Sequence, residues 1–317
     1  MIASNTSPAQ LLIDSISQSV IGKPDAVKLT VVAFIAGGHI LLEDMPGMGK
    51  TLLAKSLAQS FKGNFKRVQF TSDMMPADIT GSSVFNMKTH EFEFIPGPIF
   101  ANIVLADEIN RATPRSQSSL LEVMEERQVT VDGKTHLLGK PFFVIATQNP
   151  LESYGTFPLP ESQLDRFMLS LSIGYPNFEQ ERTILQLHRE NTQKTQETSL
   201  HKRLEAVLDI ETAIEMQKQA SQVEVSDEME ILILKIIQKT RETSLFSMGA
   251  STRAAVAFLR AAQALAYIEG RTYVIPDDLK LLAAHVLTHR VVTRQTQKRH
   301  EKELLLKELV NDCFRQK

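Results

Sequence analysis

Apolar positions come in short runs along the first half of the chain and at helical spacing along the second. Runs at 39–43, 67–70, 103–107, 142–147 and 168–173 are bounded by turn-forming residues and read as strands. Residues 24–37, 50–61 and 115–126 instead repeat apolar positions every three or four residues, as a helix with a buried face does. Short buried strands alternating with helices predict a mostly parallel sheet covered on both sides. Further on, 229–240, 252–268, 278–289 and 301–314 carry helix-length apolar spacing and predict a bundle. Of the 14 glycines and 13 prolines, only Gly249, Gly270 and Pro276 lie beyond residue 177. Gly and Pro supply turns and interrupt helices, so this shift marks a boundary. The expected organisation is an α/β domain over 1–177, a linker over about 177–195 with a polar stretch at 191–198, and a helical domain over 195–317.

Two segments interrupt the α/β pattern. Residues 71–97, ending in Pro96-Gly97 before Pro98, are too long and too patterned for a turn and predict an inserted helix or hairpin. Residues 129–141 read as two short arms around Asp132-Gly133, a dipeptide suited to a hairpin turn.

Composition removes several function classes. The 317 residues are 43% hydrophobic and 23% charged, and 35 basic against 37 acidic residues give a net charge of -2. Nothing in that balance calls for a nucleic acid or an anionic membrane as partner. The single Cys313 excludes an intrachain disulfide and a multi-cysteine metal site. The most apolar early stretch, 29–42, is broken by Gly37, Gly38 and His39, short of the ~20 residues that cross a bilayer. Residues 1–10 lack the basic start and apolar block of a secretory signal, so the expected location is cytoplasmic.

The candidate chemistry begins where the 39–43 strand meets Asp44-Met45-Pro46-Gly47-Met48-Gly49-Lys50-Thr51, followed by the helix-like 52–61. Strand, glycine-bearing loop, Lys-Thr and helix make a near-complete Walker A phosphate loop. Backbone N–H groups around Pro46, Gly47, Met48 and Gly49 and the first turn through Leu52 would surround phosphate oxygens, with the helix dipole aimed at them. Lys50 would meet the β- and γ-phosphates, and the Thr51 hydroxyl would ligate magnesium. Asp44 stands where the motif has its first glycine. A second apolar run, Ile103 to Ala106, ends in Asp107-Glu108, as a Walker B strand does. Asp107 would hold magnesium with Thr51, and Glu108 would polarise the water that attacks the γ-phosphate. The 142–147 run ends in Gln148-Asn149-Pro150, where Asn149 would bridge water and γ-phosphate.

These motifs, in this order, resemble the MoxR branch of the AAA+ ATPases. The likeness rests on the loop above with Leu41-Leu42-Glu43 before it, Ala106-Asp107-Glu108-Ile109-Asn110-Arg111-Ala112, Ala146-Thr147-Gln148-Asn149-Pro150, Glu161-Ser162-Gln163-Leu164-Asp165-Arg166-Phe167 and Gly249-Ala250-Ser251-Thr252-Arg253-Ala254. The resemblance implies a P-loop AAA+ core with a parallel sheet sandwiched by helices, followed by a smaller all-helical lid domain. It implies Asn149 as first sensor, Arg253 as second sensor in the lid, and Arg166 as the finger inserted into a neighbour's ATP site, with Arg111 as the competing trans arginine. Val20-Ile21-Gly22 fall where related ATPases wrap the adenine, or alternatively form a buried helix-entry turn. The family also carries an insertion and a hairpin at the positions of 71–97 and 129–141.

The expected function is therefore a Mg2+-dependent ATPase that hydrolyses ATP to remodel or activate client proteins. The resemblance implies a homo-oligomeric ring, with six subunits expected, and partners containing a von Willebrand factor A-like domain. ATP is expected between the α/β domain and the lid, whose position shifts on hydrolysis. A DNA-remodelling motor and a nucleotide-operated binding module with negligible turnover are the competing readings. His285 and His289, four apart, read as a packed pair rather than a zinc site.

Overall fold

The computed structural model describes residues 7–45, 47–149, 155–193, 205–294 and 298–315. Pro46 and Pro150, both in the expected nucleotide motifs, lie outside the described residues, as do 194–204 and so most of the 191–198 stretch. In chain order the elements begin with α1 (Pro8–Ser19), α2 (Pro24–Ile35), β1 (Ile40–Glu43), α3 (Lys50–Ser60), β2 (Phe65–Gln69) and α4 (Pro76–Thr80). Next come β3 (Gly81–Asn86), β4 (Glu91–Pro96), β5 (Ile103–Asp107), α5 (Pro114–Glu126), β6 (Gln128–Val131), β7 (Lys134–Leu137), β8 (Phe143–Gln148), α6 (Glu161–Leu164) and β9 (Leu169–Leu171). The helical part has α7 (Phe178–Gln193), α8 (Ile210–Ala220), α9 (Asp227–Glu242), β10 (Phe246–Met248), α10 (Thr252–Ile268), α11 (Pro276–Leu287), β11 (Val292–Thr293) and α12 (Arg299–Arg315).

Five parallel strands form the central sheet in the order β2-β5-β8-β1-β9. The inner strands are buried on both faces, which is why their sequences are nearly continuous apolar runs. Alternate residues go to two cores. Ile40, Leu42, Ile103, Leu105, Phe143 and Ile145 meet α1, α2 and α3, while Leu41, Val104 and Val144 meet α5. The first core runs without a break into the helical domain, so Phe34, Phe61 and Phe143 belong to one cluster with Phe258, Leu265 and Leu282.

The insertion expected at 71–97 is both the short helix α4 and the β3-β4 hairpin, and the 129–141 hairpin is β6-β7. The two hairpins touch: the Phe94 ring stacks on His136 at 3.9 Å between centroids. Phe85, Met87 and Phe92 are exposed on the first hairpin, Leu137 on the second.

Three expectations change. The linker at 177–195 is largely helix, α7. Its start is fixed by a reciprocal cap: Gln180 N donates to Asn177 Oδ1 and Asn177 N to Gln180 Oε1, both at 2.9 Å. Residues 8–19, which the sequence reading assigned to no element, are also helical, with Gln10 N donating to Ser7 Oγ at the start of α1. The lid is helical apart from a two-stranded pairing of β10 with β11, where chain segments on either side of α10 and α11 close onto each other.

Candidate functional site

The phosphate loop joins β1 to α3. Gly47 and Gly49 both have φ of 85°, and a Cβ built on either would meet nothing within 4 Å, so the loop interior is open at both. No side chain caps the start of α3, leaving its first-turn N–H groups facing that opening. Met48 and Leu52 turn their side chains toward the core. The Lys50 ammonium is buried and donates to Asp44 O at 2.9 Å. Burial pushes it below the ordinary lysine value, while Asp107, Asp44 and Glu108 pull the other way. A buried cation beside uncapped amides and open glycines is the donor set a triphosphate requires, so the loop fits that ligand.

Asp44 explains the missing glycine. Its carboxylate accepts from Ser172 Oγ (2.7 Å), Ile173 N (2.7 Å) and Gly174 N (3.1 Å), tying the loop to the chain that leaves β9. A glycine there would leave those two amides without this acceptor.

Asp107 and Glu108 sit at the carboxyl end of β5, between β2 and β8. Thr147 of β8 donates its hydroxyl to Asp107 Oδ1 at 2.6 Å and accepts from Glu108 N at 2.9 Å. From β2, Arg67 donates to Asp107 Oδ2 through Nε (3.1 Å) and Nη2 (2.5 Å), and Gln69 Nε2 donates to Glu108 Oε2 at 2.8 Å. Arg111 pairs with the same Glu108 at 3.0 Å. Glu108 itself adopts φ 57°, ψ 48°, a left-handed conformation that costs a non-glycine residue about 1 kcal/mol. That turn swings its carboxyl off the strand direction, so two adjacent acids point to different tasks. Asp107 Oδ1 accepts only the Thr147 hydroxyl and retains a lone pair, which suits a magnesium ion shared with Thr51 at the start of α3.

Sequence reading missed Arg67, Gln69 and Thr147. Arg67 and Gln69 alternate on β2, which pairs with β5 in register Gln69 to Asp107. That alternation of polar side chains on an otherwise sheet-forming run was the available signal. Asn149 follows β8 at the same end of the sheet, where β8 pairs Gln148 with Glu43 of β1. Lys50, Asp107, Glu108 and Asn149 thus follow the carboxyl ends of three adjacent strands.

Gly22 lies in the turn that enters α2. A Cβ there would fall 2.2 Å from the Gln180 side chain, whose Nε2 donates to Gly22 O at 3.0 Å. The close approach at Gly22 is made by α7, and Val20 is buried as a helix-entry residue while Ile21 is half-buried beside it.

Arg253 is corrected. Its expected partner was the nucleotide held by its own Lys50. Instead Arg253 Nη2 pairs with Glu125 Oε1, and Arg166 Nη1 reaches Glu125 Oε2 at 3.1 Å and Leu121 O at 2.8 Å. Glu125 lies in the last turn of α5, whose end is held near the amino end of β1. There Met124 O accepts from His39 Nε2, and Arg127 donates to Gly37 O. Arg166 precedes β9, which runs parallel to β1 with Leu169 opposite Ile40. Both arginines therefore lie toward the strand ends opposite Lys50. The cause is lid docking: α10 packs along α2, Arg260 donates to Ala36 O at 2.6 Å, and Lys28 pairs with Glu269 at 2.5 Å.

The junction below the arginines is buried. Arg290 donates to Asp165 Oδ1 (2.7 Å) and to the carbonyls of Phe167, Met168 and Val286; burial lowers its guanidinium to about 10. His289 Nε2 donates to Phe167 O at 2.9 Å, and burial pushes both His289 and His285 below the ordinary imidazole value. Among the described residues no group of three or more His, Cys, Asp or Glu side chains is arranged to hold a metal. Nor is any helix among them long and apolar enough to cross a membrane.

Comparison with known proteins agrees with this geometry. Residues 39–169 match the ATPase family associated with various cellular activities (AAA), and 238–309 match an AAA lid domain. The chain is 48% identical over 280 residues to YeaC of Bacillus subtilis, a protein named as uncharacterized, covering 88% of this chain and 85% of that one. It is 36% identical over 300 residues to Chaperone MoxR1 of Mycobacterium tuberculosis, covering 92% and 77% respectively. A crystal structure described as a candidate ATPase of Cytophaga hutchinsonii superposes with a TM-score of 0.84 at 34% identity, over 96% of this chain and 93% of that one. With a phosphate loop, an acid pair and a lid in the order its relatives share, this chain belongs to the MoxR family of AAA+ ATPases.

Proposed function

We propose that the chain is a magnesium-dependent ATP phosphohydrolase that works as a ring of copies and uses turnover to remodel client proteins. The observation that carries the reading is the division of the catalytic set between opposite ends of the sheet. One protomer supplies the cradle and Lys50 for phosphate binding, Glu108 to take up and orient the attacking water, and Asn149 to steady it against the γ-phosphate. Its own Arg166 and Arg253 lie at the other end, so the cations that stabilise the leaving charge come from a neighbour. Thr51 and Asp107 are the residues suited to magnesium, which when bound draws charge from the β- and γ-phosphate oxygens. Arg67, Gln69 and Thr147 hold the two acids in place.

Client remodelling is supported by the relative named as a chaperone and by the exposed Phe85, Met87, Phe92 and Leu137 on the touching hairpins. A partner with a von Willebrand factor A-like domain belongs to the same proposal. The test is phosphate release from purified protein with ATP and magnesium, together with mass measurement of the assembly. Specific activity is expected to rise with protein concentration as rings form. Lys50→Ala is expected to lose ATP binding. Glu108→Gln is expected to bind ATP but turn over ~10²–10⁴-fold more slowly. Full turnover by Glu108→Gln, or activity independent of assembly, refutes the reading.

A further inference from the structure

We propose that Glu125 is a positioning residue that joins Arg166 and Arg253 into one two-armed clamp for the triphosphate of a neighbouring copy. The inference rests on the ring reading and adds the carboxylate that makes the two arginines act as a unit. Arg166 comes from the segment before β9, and Arg253 from the first turn of α10. Their main chains are brought near each other by neighbouring residues, but nothing local sets the separation of the two side-chain tips. Glu125 does so by giving one oxygen to each, Oε2 to Arg166 and Oε1 to Arg253. Leu121 O fixes Arg166 from the same helix, one turn earlier.

The main chains that carry the two arginines are tied separately. Asp165, next to Arg166, accepts from Ser251 Oγ at 2.7 Å, and Ser251 caps α10 just before Arg253. Asp165 is in turn held by the buried Arg290. The join between domains therefore does not depend on Glu125. What Glu125 controls is the side-chain tips: two like charges on one patch repel, and a carboxylate between them holds both at a set separation.

The three side chains are 30%, 45% and 39% exposed for Arg166, Arg253 and Glu125, so a neighbouring surface reaches them. A half-exposed ion pair adds little to stability. Each guanidinium has five N–H donors in a planar fork and spends only part of them on Glu125 and Leu121. Arg166 Nε is buried, but the remaining Nη donors of both arginines can converge on phosphate oxygens while the carboxylate keeps the forks aligned.

Glu125→Gln removes the charge and keeps the size. It is expected to lower kcat about 10- to 100-fold, the loss typical of misplaced positioning groups, with ATP affinity and thermal midpoint close to wild type. Glu125→Asp keeps the charge and should recover part of the turnover. Mixing separates this from a local structural effect. Lys50→Ala protomers cannot use their own site but carry an intact clamp, so mixed with Glu125→Gln protomers they should give more turnover than the sum of the two alone. Adding Glu125→Gln to Arg253→Ala should cost less than it does in wild type. Glu125→Gln turnover within twofold of wild type, loss proportional to lost ATP binding, or no gain on mixing overturns the assignment. Absence of magnesium-dependent turnover in the wild-type protein would instead remove the ring reading itself.

Discussion

His39 offers the cleanest quantitative test of how the sheet is joined to α5. The ring is buried and accepts from Val144 N at Nδ1 (3.0 Å) while Nε2 donates to Met124 O (3.1 Å), which fixes the neutral tautomer. Protonation would place a ring N–H against the Val144 N–H. Burial, joined by the charges of Arg127 and Arg260, lowers its pKa to about 4, although the bond to Met124 O works the other way. Because the folded value lies below the unfolded value of about 6.5, the contribution is complete above pH 6.5 and is lost as pH falls toward 4. At 1.36 kcal/mol per unit, His39 should account for about 1.3 kcal/mol of stability lost between pH 7.5 and 5.5. The assay is urea unfolding of wild type and His39→Gln at both values. His285 and His289, also lowered by burial, contribute acid sensitivity to both proteins and cancel in the difference. The variant should start ~1–3 kcal/mol less stable at pH 7.5, and the gap should narrow by about 1.3 kcal/mol at pH 5.5. A constant gap, or an imidazole titrating near 6.5 by NMR, refutes the argument.

Three other outcomes follow from the geometry. Thr147→Val keeps the volume but removes the hydroxyl shared by Asp107 and Glu108; turnover should fall ~10-fold or more with the unfolding midpoint little changed, as steady-state phosphate release would register. Asp44→Ala leaves the Ile173 and Gly174 amides without this acceptor, and chemical denaturation should read a loss of ~1–3 kcal/mol together with weaker ATP binding. Arg290→Met leaves the half-buried Asp165 carboxylate and the buried carbonyls around it without their cation and should destabilise by ~3–5 kcal/mol, measurable by calorimetry.

What the sequence made legible was local. The phosphate loop, the acid pair and the sheet-forming runs each occupy a few consecutive residues, and short-range geometry alone assigns their chemistry. Arg67, Gln69 and Thr147 were not legible because they reach Asp107 and Glu108 only through the strand order β2-β5-β8, which no local spacing encodes. The position of Arg253 was hidden for a similar reason. A helix with a continuous alanine-rich face can dock at several angles, and its seat along α2, held by Arg260 on Ala36 O and Glu269 on Lys28, decides which end of the sheet its first turn meets. The helix α7 was legible in principle through Asn177 and Gln180, a cap masked by the polar composition that follows.

The buried Arg290 also bears on where motion can occur. Its guanidinium is locked into carbonyls on both sides of the junction and into Asp165, and one unbroken apolar cluster crosses the same boundary. Hinging the helical part away from its own sheet would break these bonds and open the shared apolar cluster to water, at a cost of several kcal/mol. Within the proposed ring the softer joints would be the seams between copies. In the ring proposed above, the mechanical unit would be a rigid block, and a power stroke would be a change in how successive blocks tilt against one another.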